Sequence, residues 1–249
     1  MSKFPDHLRR HIVVLTLVAA ALLFVHSCSV RDELILSPDG SGEAHVNVDI
    51  HPVLLAYLTD LMTAMTGAEG DLPIFDLDQL RASFQERPGV TLLGAEMPER
   101  GALRLRVAFQ DINQLFADEE SADTVHLTSS GTRRQLVVTL DRNAVRRFLG
   151  FAPQDSSMLA DILLPPEDGS LSTAEYRDEL EWAFEEYGDG GEVADALDGS
   201  AIEVTVRPRG RIISQSGGSV SGDAVVFRIP VLELLTLDQE RVYSVTFAP

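Results

Sequence analysis

Cys28 is the only cysteine among the 249 residues of this chain. It stands directly after an apolar run from Ile12 to Val25 that is broken only by Thr16, and Lys3, Arg9 and Arg10 precede that run. A basic start, an apolar middle and small residues before a cleavage point form the layout of an export signal. With no second thiol, Cys28 cannot close an internal disulfide, and its placement suits it to carry lipid instead. The apolar run is shorter than the roughly 20 residues that span a bilayer core. No later stretch is apolar enough to cross a membrane, so the chain beyond residue 27 is expected to be water-soluble.

A second chemical feature is Arg207-Pro208-Arg209-Gly210-Arg211. In an extended segment, alternate side chains share one face. Three guanidinium groups aligned in this way can grip a phosphate or carboxylate bidentately. They can equally form internal salt bridges with the acidic stretch described below.

The other residue types lead to weaker expectations. Beyond residue 27 the histidines are His45, His51 and His126. On one strand His45 and His51 stand roughly 20 Å apart at about 3.3 Å per residue, too far for one ion. Neither a zinc-binding pair of histidines nor an EF-hand spacing occurs, so no metal and no cofactor is expected. Asp39-Gly40-Ser41-Gly42 reads as a hairpin turn, and Asp189-Gly190-Gly191-Glu192 as a loop. Gly217-Gly218-Ser219-Val220-Ser221-Gly222 lacks the order of a nucleophile elbow. Carboxylates are abundant, but no pair stands out as a hydrolytic acid and base. The chain is expected not to be an enzyme. A hydrolase with a carboxylate site is the alternative from that class.

Charge narrows the partners. The chain carries a formal −19, and removing residues 1–27, with Lys3, Arg9 and Arg10 against Asp6, lowers this to −21. Nucleic acid requires a basic footprint and is excluded as a partner. Lys3 is the only lysine, which rules out lysine nucleophiles beyond the signal segment. Residues 152–199 hold fourteen acids and one base, Arg177. Within them Ser172-Thr173-Ala174-Glu175 is a capping box, which opens a helix with Tyr176, Leu180, Phe184 and Tyr187 on one face. This stretch reads as an acidic helical insertion packed on a single domain over residues 28–249. The acidic helix around Trp182 offers a docking face, the basis of an alternative role as a scaffold subunit of an envelope complex.

These residues have to be positioned by an α+β body, mostly antiparallel sheet with packed helices. Leu34–Leu36 and the alternating Ala44–Ile50 predict a hairpin around the Pro38–Gly42 turn. Leu54, Leu58, Leu61 and Met65 form a helical stripe within Val53–Met65, either ordinary core or the cover of an apolar cavity. Further strands are expected at Val90–Ala95, Leu103–Phe109, Val125–Thr128, Gln135–Leu140, Ile202–Val206, Arg211–Ser214, Ala224–Ile229 and Val242–Phe247. Helices are expected after Asp76, Asp111 and Asp141. Three times, at Asp49, Asp111 and Asp141, a strand ends on an aspartate that opens a helix, and helix capping accounts for the recurrence.

Two resemblances follow from these residues. Val25-His26-Ser27-Cys28 is similar to the lipobox of bacterial lipoproteins, with valine in place of the commoner leucine and His26 in place of a small residue. It implies a lipoprotein signal peptide over 1–27 and acyl chains such as palmitate on Cys28. The hairpin around Pro38-Asp39-Gly40-Ser41-Gly42, together with Val204–Ile213, the Gly217–Gly222 turn and Val225-Val226-Phe227, resembles LppM-type bacterial lipoproteins. That resemblance implies an α+β envelope domain that binds a lipid or glycolipid, exposed outside the cytoplasm. Members often carry a C-terminal membrane helix. None is expected here, which leaves the lipid on Cys28 as the anchor. The expected partners are the membrane through Cys28 and an amphiphilic ligand or an envelope protein, with Arg207, Arg209 and Arg211 as the ligand contacts.

Overall fold

The computed structural model describes residues 29–67, 74–85, 87–116, 124–149, 164–166 and 171–249. Residues 1–28, and with them the expected signal segment and Cys28, lie outside the described residues. The fold is α+β, built on two sheets.

The first sheet opens with β1 (Ser29–Leu36) and β2 (Gly42–Asp49), paired antiparallel from Ser29–Asp49 to Leu36–Gly42. Their turn closes through Ser37 N–H to the Ser41 carbonyl at 2.8 Å, with Gly40 at φ +93°. Gly42 is required for a second reason. It faces Phe109 in register, and a Cβ at Gly42 would stand 2.6 Å from that ring. The sheet continues with β3 (Val90–Glu96), β4 (Ala102–Phe109), β7 (Ala201–Pro208), β9 (Ser219–Ser221) and β10 (Ala224–Pro230), in the order β3-β4-β2-β1-β7-β10-β9. The contact of β1 with β7 is parallel and the other pairings in this sheet are antiparallel. The second sheet consists of β5 (Val125–Ser130), β6 (Arg133–Leu140), β8 (Arg211–Ser216) and β11 (Arg241–Ala248), in the order β5-β6-β11-β8, all antiparallel.

The main core contains Leu36, Phe109, Val206, Val225 and Phe227 from the first sheet and Val125, Leu136, Val245 and Phe247 from the second. Burial of such side chains contributes about 1.5–3 kcal/mol each, which lets the two sheets hold together without a disulfide.

Seven helices occur among the described residues: α1 (Pro52–Thr66), α2 (Leu77–Gln85), α3 (Ile112–Leu115), α4 (Arg142–Leu149), α5 (Thr173–Phe184), α6 (Gly190–Asp198) and α7 (Val231–Leu235). The capping box at Ser172 and Glu175 is formed, and Tyr176 and Phe184 are buried as the helical face requires. Val53 of α1, Phe184 of α5, Val193, Ala196 and Leu197 of α6 and Leu232 of α7 make one cluster. It sits at the Ser29 end of the first sheet: α6 leads directly into Ala201, and Ala201 pairs with both Ser29 and Pro230. No helix among the described residues is long and apolar enough to cross a membrane.

Two local expectations are corrected, and two short elements are added. Asp189–Glu192 is not a loop but the start of α6. Asp189 Oδ1 accepts from the N–H groups of Gly191 and Glu192, and Glu192 caps in return, so the paired glycines are carried by the cap. Asp111 and Asp141 do cap α3 and α4, yet Asp49 does not cap α1. Asp49 is held by Arg104 at 2.6 Å, and the buried His51 takes the role instead, its Nδ1 accepting from Val53 N–H at 3.2 Å. Finally, β9 and α7 were not anticipated, because three residues and five residues are too short to carry a periodic signal.

Candidate anion-binding rim

The three arginines anticipated as one row are separated by the fold. Arg207 is the penultimate residue of β7 in the first sheet, while Arg211 opens β8 in the second. Between them Pro208-Arg209-Gly210 crosses from sheet to sheet, tied by Arg209 N–H to the Leu36 carbonyl at 2.7 Å. They therefore do not share one extended face.

Arg207 is fully committed. Its Nε donates to Glu33 Oε1 at 3.0 Å, and its Nη1 is bonded to Asp223. Hydrogen bonds from this guanidinium hold the Asp223 carboxyl below the usual carboxylate range. The expectation of salt bridges to the acidic insertion fails as well, since Glu33 and Asp223 both lie outside residues 152–199. Arg177 instead serves that insertion, bonding Asp198 through two nitrogens and Glu181 at 2.6 Å.

Arg209 and Arg211 are exposed. The sheet pairing brings two unanticipated arginines beside them. On β11, Ala248 pairs with Arg211 and Phe247 pairs with both Ile212 and Arg134, which puts Arg133 across Ala248 from Arg211. Two strand spacings separate these two residues, about 10 Å at the backbone. Their side chains leave the same face of the sheet, as paired residues do. Neither side chain has a carboxylate partner among the described residues. Arg134 turns to the first sheet and donates through Nε to the Pro38 carbonyl at 2.7 Å and through Nη1 to the Gly131 carbonyl at 3.1 Å. Carbonyls satisfy its hydrogen bonds without cancelling its charge.

Four arginines thus meet at one rim. The nearby acids are both occupied: Asp39 by its own turn and Asp111 by the cap of α3. Hydrogen bonds from the Ser41 hydroxyl and amide chiefly lower the Asp39 pKa, with a smaller contribution from the charge of Arg209. The rim is the opposite end of β1 from Ser29, about 25 Å away over eight residues. Acidic α5 and α6 lie near the Ser29 end, and these four guanidinium groups lie at the other. Such a rim can bind an anionic group by charge-assisted hydrogen bonds.

No family model matches the sequence, and no curated protein matches it. A solved structure does resemble the fold. It is the folded domain of LppM from Mycobacterium tuberculosis, determined by NMR, which shares 13% identity over 90% of each chain with a TM-score of 0.38. The likeness is distant and concerns the fold alone.

The remaining candidates have structural assignments. His45 lies between Glu33 (3.7 Å) and Glu43 (3.6 Å) on the outer face of the first sheet. Among the described residues no cluster suited to a metal ion occurs. Tyr176 and Phe184 are core, so they offer no docking patch, whereas Trp182 on the other side of α5 is 75% exposed. One buried acid escaped the sequence reading. Asp32 stands on the core-facing side of β1, in register with Val46 and Val204, and its Oδ1 is buried without a partner. Burial pushes its pKa up to about 6. The alternation of β1 offers a clue, since Asp32 falls in phase with Val30, Leu34 and Leu36.

Proposed function

We propose that this chain is a non-enzymatic, lipid-anchored lipoprotein of the bacterial cell envelope, a binding module that holds an anionic group of its ligand at Arg133, Arg209 and Arg211. One observation carries the reading. In a chain with a formal charge of −19, three exposed arginines lie at one rim, and no described carboxylate neutralises Arg133 or Arg211. Lipid on Cys28 would tether the molecule one residue before the central strand β1, and the rim would then point away from the membrane that holds it.

The test is calorimetric titration of the detergent-solubilised full chain with inorganic pyrophosphate. The expected result is saturable binding that weakens with salt and falls at least tenfold in the double variant Arg133→Gln, Arg211→Gln. Equal affinity in the variant and the parent would overturn the reading.

A further inference from the structure

The second sheet differs from the rest of the protein in one respect. Its four strands, Val125–Ser130, Arg133–Leu140, Arg211–Ser216 and Arg241–Ala248, contain no aspartate or glutamate. The chain as a whole has 39 acids. On the face turned away from the core, the register lays out rows of neutral side chains. Thr128, Gln135, Thr246 and Ser214 form one row, and His126, Val137, Ser244 and Ser216 the next. Arg133 and Arg211 flank Ala248 at one end of these rows. The residues on the two outer strands are exposed, and those on the two inner strands are exposed or half-buried, so the face is open to solvent.

From this arrangement we infer that the outer face of the second sheet binds an anionic glycan, with its sugar hydroxyls on the Ser/Thr/Gln rows and its charged group between Arg133 and Arg211. Each hydroxyl both donates and accepts, and glutamine adds two donors and an acceptor, which suits a ligand bearing a hydroxyl at every ring position. The lack of acids removes the repulsion that a polyanion would meet elsewhere on the molecule, where opposed like charges disfavour encounter. A protein partner would instead be recognised through buried aromatic anchors, and this face has none. The inference rests on the anion-binding reading of the rim and adds the class of ligand to it.

The experiment compares three probes on the detergent-solubilised full chain: an eight-residue oligogalacturonate, octaglutamate and neutral dextran. Oligogalacturonate is expected to bind at least tenfold more tightly than either of the others. The isosteric double variant Thr128→Val, Thr246→Val, which leaves every charge in place, is expected to lose tenfold for oligogalacturonate and less than twofold for inorganic pyrophosphate. Backbone amide shifts on adding oligogalacturonate should fall on β5, β6, β8 and β11. Octaglutamate or dextran binding as tightly as oligogalacturonate, or an unaffected valine variant, would overturn the glycan inference while leaving the rim an anion site. Failure of both pyrophosphate and oligogalacturonate to bind the parent chain would overturn the two readings together.

Discussion

Arg207 of β7 and Glu33 of β1 are joined across the parallel strand pair by a 3.0 Å hydrogen bond. Glu33 is also 3.7 Å from His45 of β2, and Arg207 is also bonded to Asp223. The chain Glu43, His45, Glu33, Arg207, Asp223 therefore runs across three neighbouring strands on the outer face of the first sheet. It stitches the parallel contact and occupies the Arg207 guanidinium from two sides. This removes Arg207 from the binding residues to which the sequence had assigned it.

Arg207→Gln should accordingly leave pyrophosphate affinity within twofold of the parent. Its effect should appear as a small fall in thermal midpoint that shrinks with added salt, because the ion pairs are solvent-accessible. Calorimetric titration and a melting curve on the same sample check both statements.

Asp32 should make the fold less stable as pH rises. Its pKa lies near 3.8 in the unfolded chain and about 6 in the fold, so between these values the native state binds more protons. The penalty is absent below about pH 3.8 and complete above about pH 6, on the order of 3 kcal/mol at 1.36 kcal/mol per pKa unit. Asp32→Val, which matches the flanking Val46 and Val204, should raise the denaturation midpoint at pH 8 and change it much less at pH 4. Denaturant titrations at the two pH values measure the difference.

His51→Ala should destabilise the protein by about 1 kcal/mol through loss of the α1 cap, and His51→Asn should recover most of it. Urea unfolding of the two variants separates a capping role from a packing role, since only the asparagine restores an acceptor for Val53 N–H.

Much of this fold was readable from local chemistry. The apolar run Leu34–Leu36 located the end of β1, alternation located β2, apolar runs between turns located the later strands, and the Ser172–Glu175 box located α5, because these signals act over a few residues. The failures came from competition and distance. Asp49 has capping chemistry, but Arg104, fifty-five residues away, claims its carboxylate, and His51 is an uncommon cap that no propensity would select. Gly190 and Gly191 concealed α6, since glycine disfavours helix and the reciprocal Asp189–Glu192 cap, together with burial of Val193, Ala196 and Leu197, offsets it. The arginine rim was half legible. Arg209 and Arg211 are two positions apart in sequence, whereas Arg133 joins them only through the pairing of β6 and β8 with β11. That register is a tertiary fact, and no local pattern encodes it.

Cys28→Ser should abolish acylation and the cleavage that depends on it. The parent protein should partition with membranes and yield a mature N-terminal peptide whose Cys28 carries acyl mass. The serine variant should retain residues 1–27 and no lipid. Intact-mass spectrometry of both proteins reports the result, and an unmodified Cys28 thiol on a membrane-bound mature chain would contradict the anchor.

The most direct measurement of the central claim is a two-dimensional amide spectrum of the full chain in detergent, recorded during titration with inorganic pyrophosphate. The account predicts saturable shifts concentrated at Arg133, Arg209, Gly210, Arg211 and Ala248, at the end of the sheets opposite Ser29. Shifts confined to other surfaces, or none at all at saturating pyrophosphate, would contradict it.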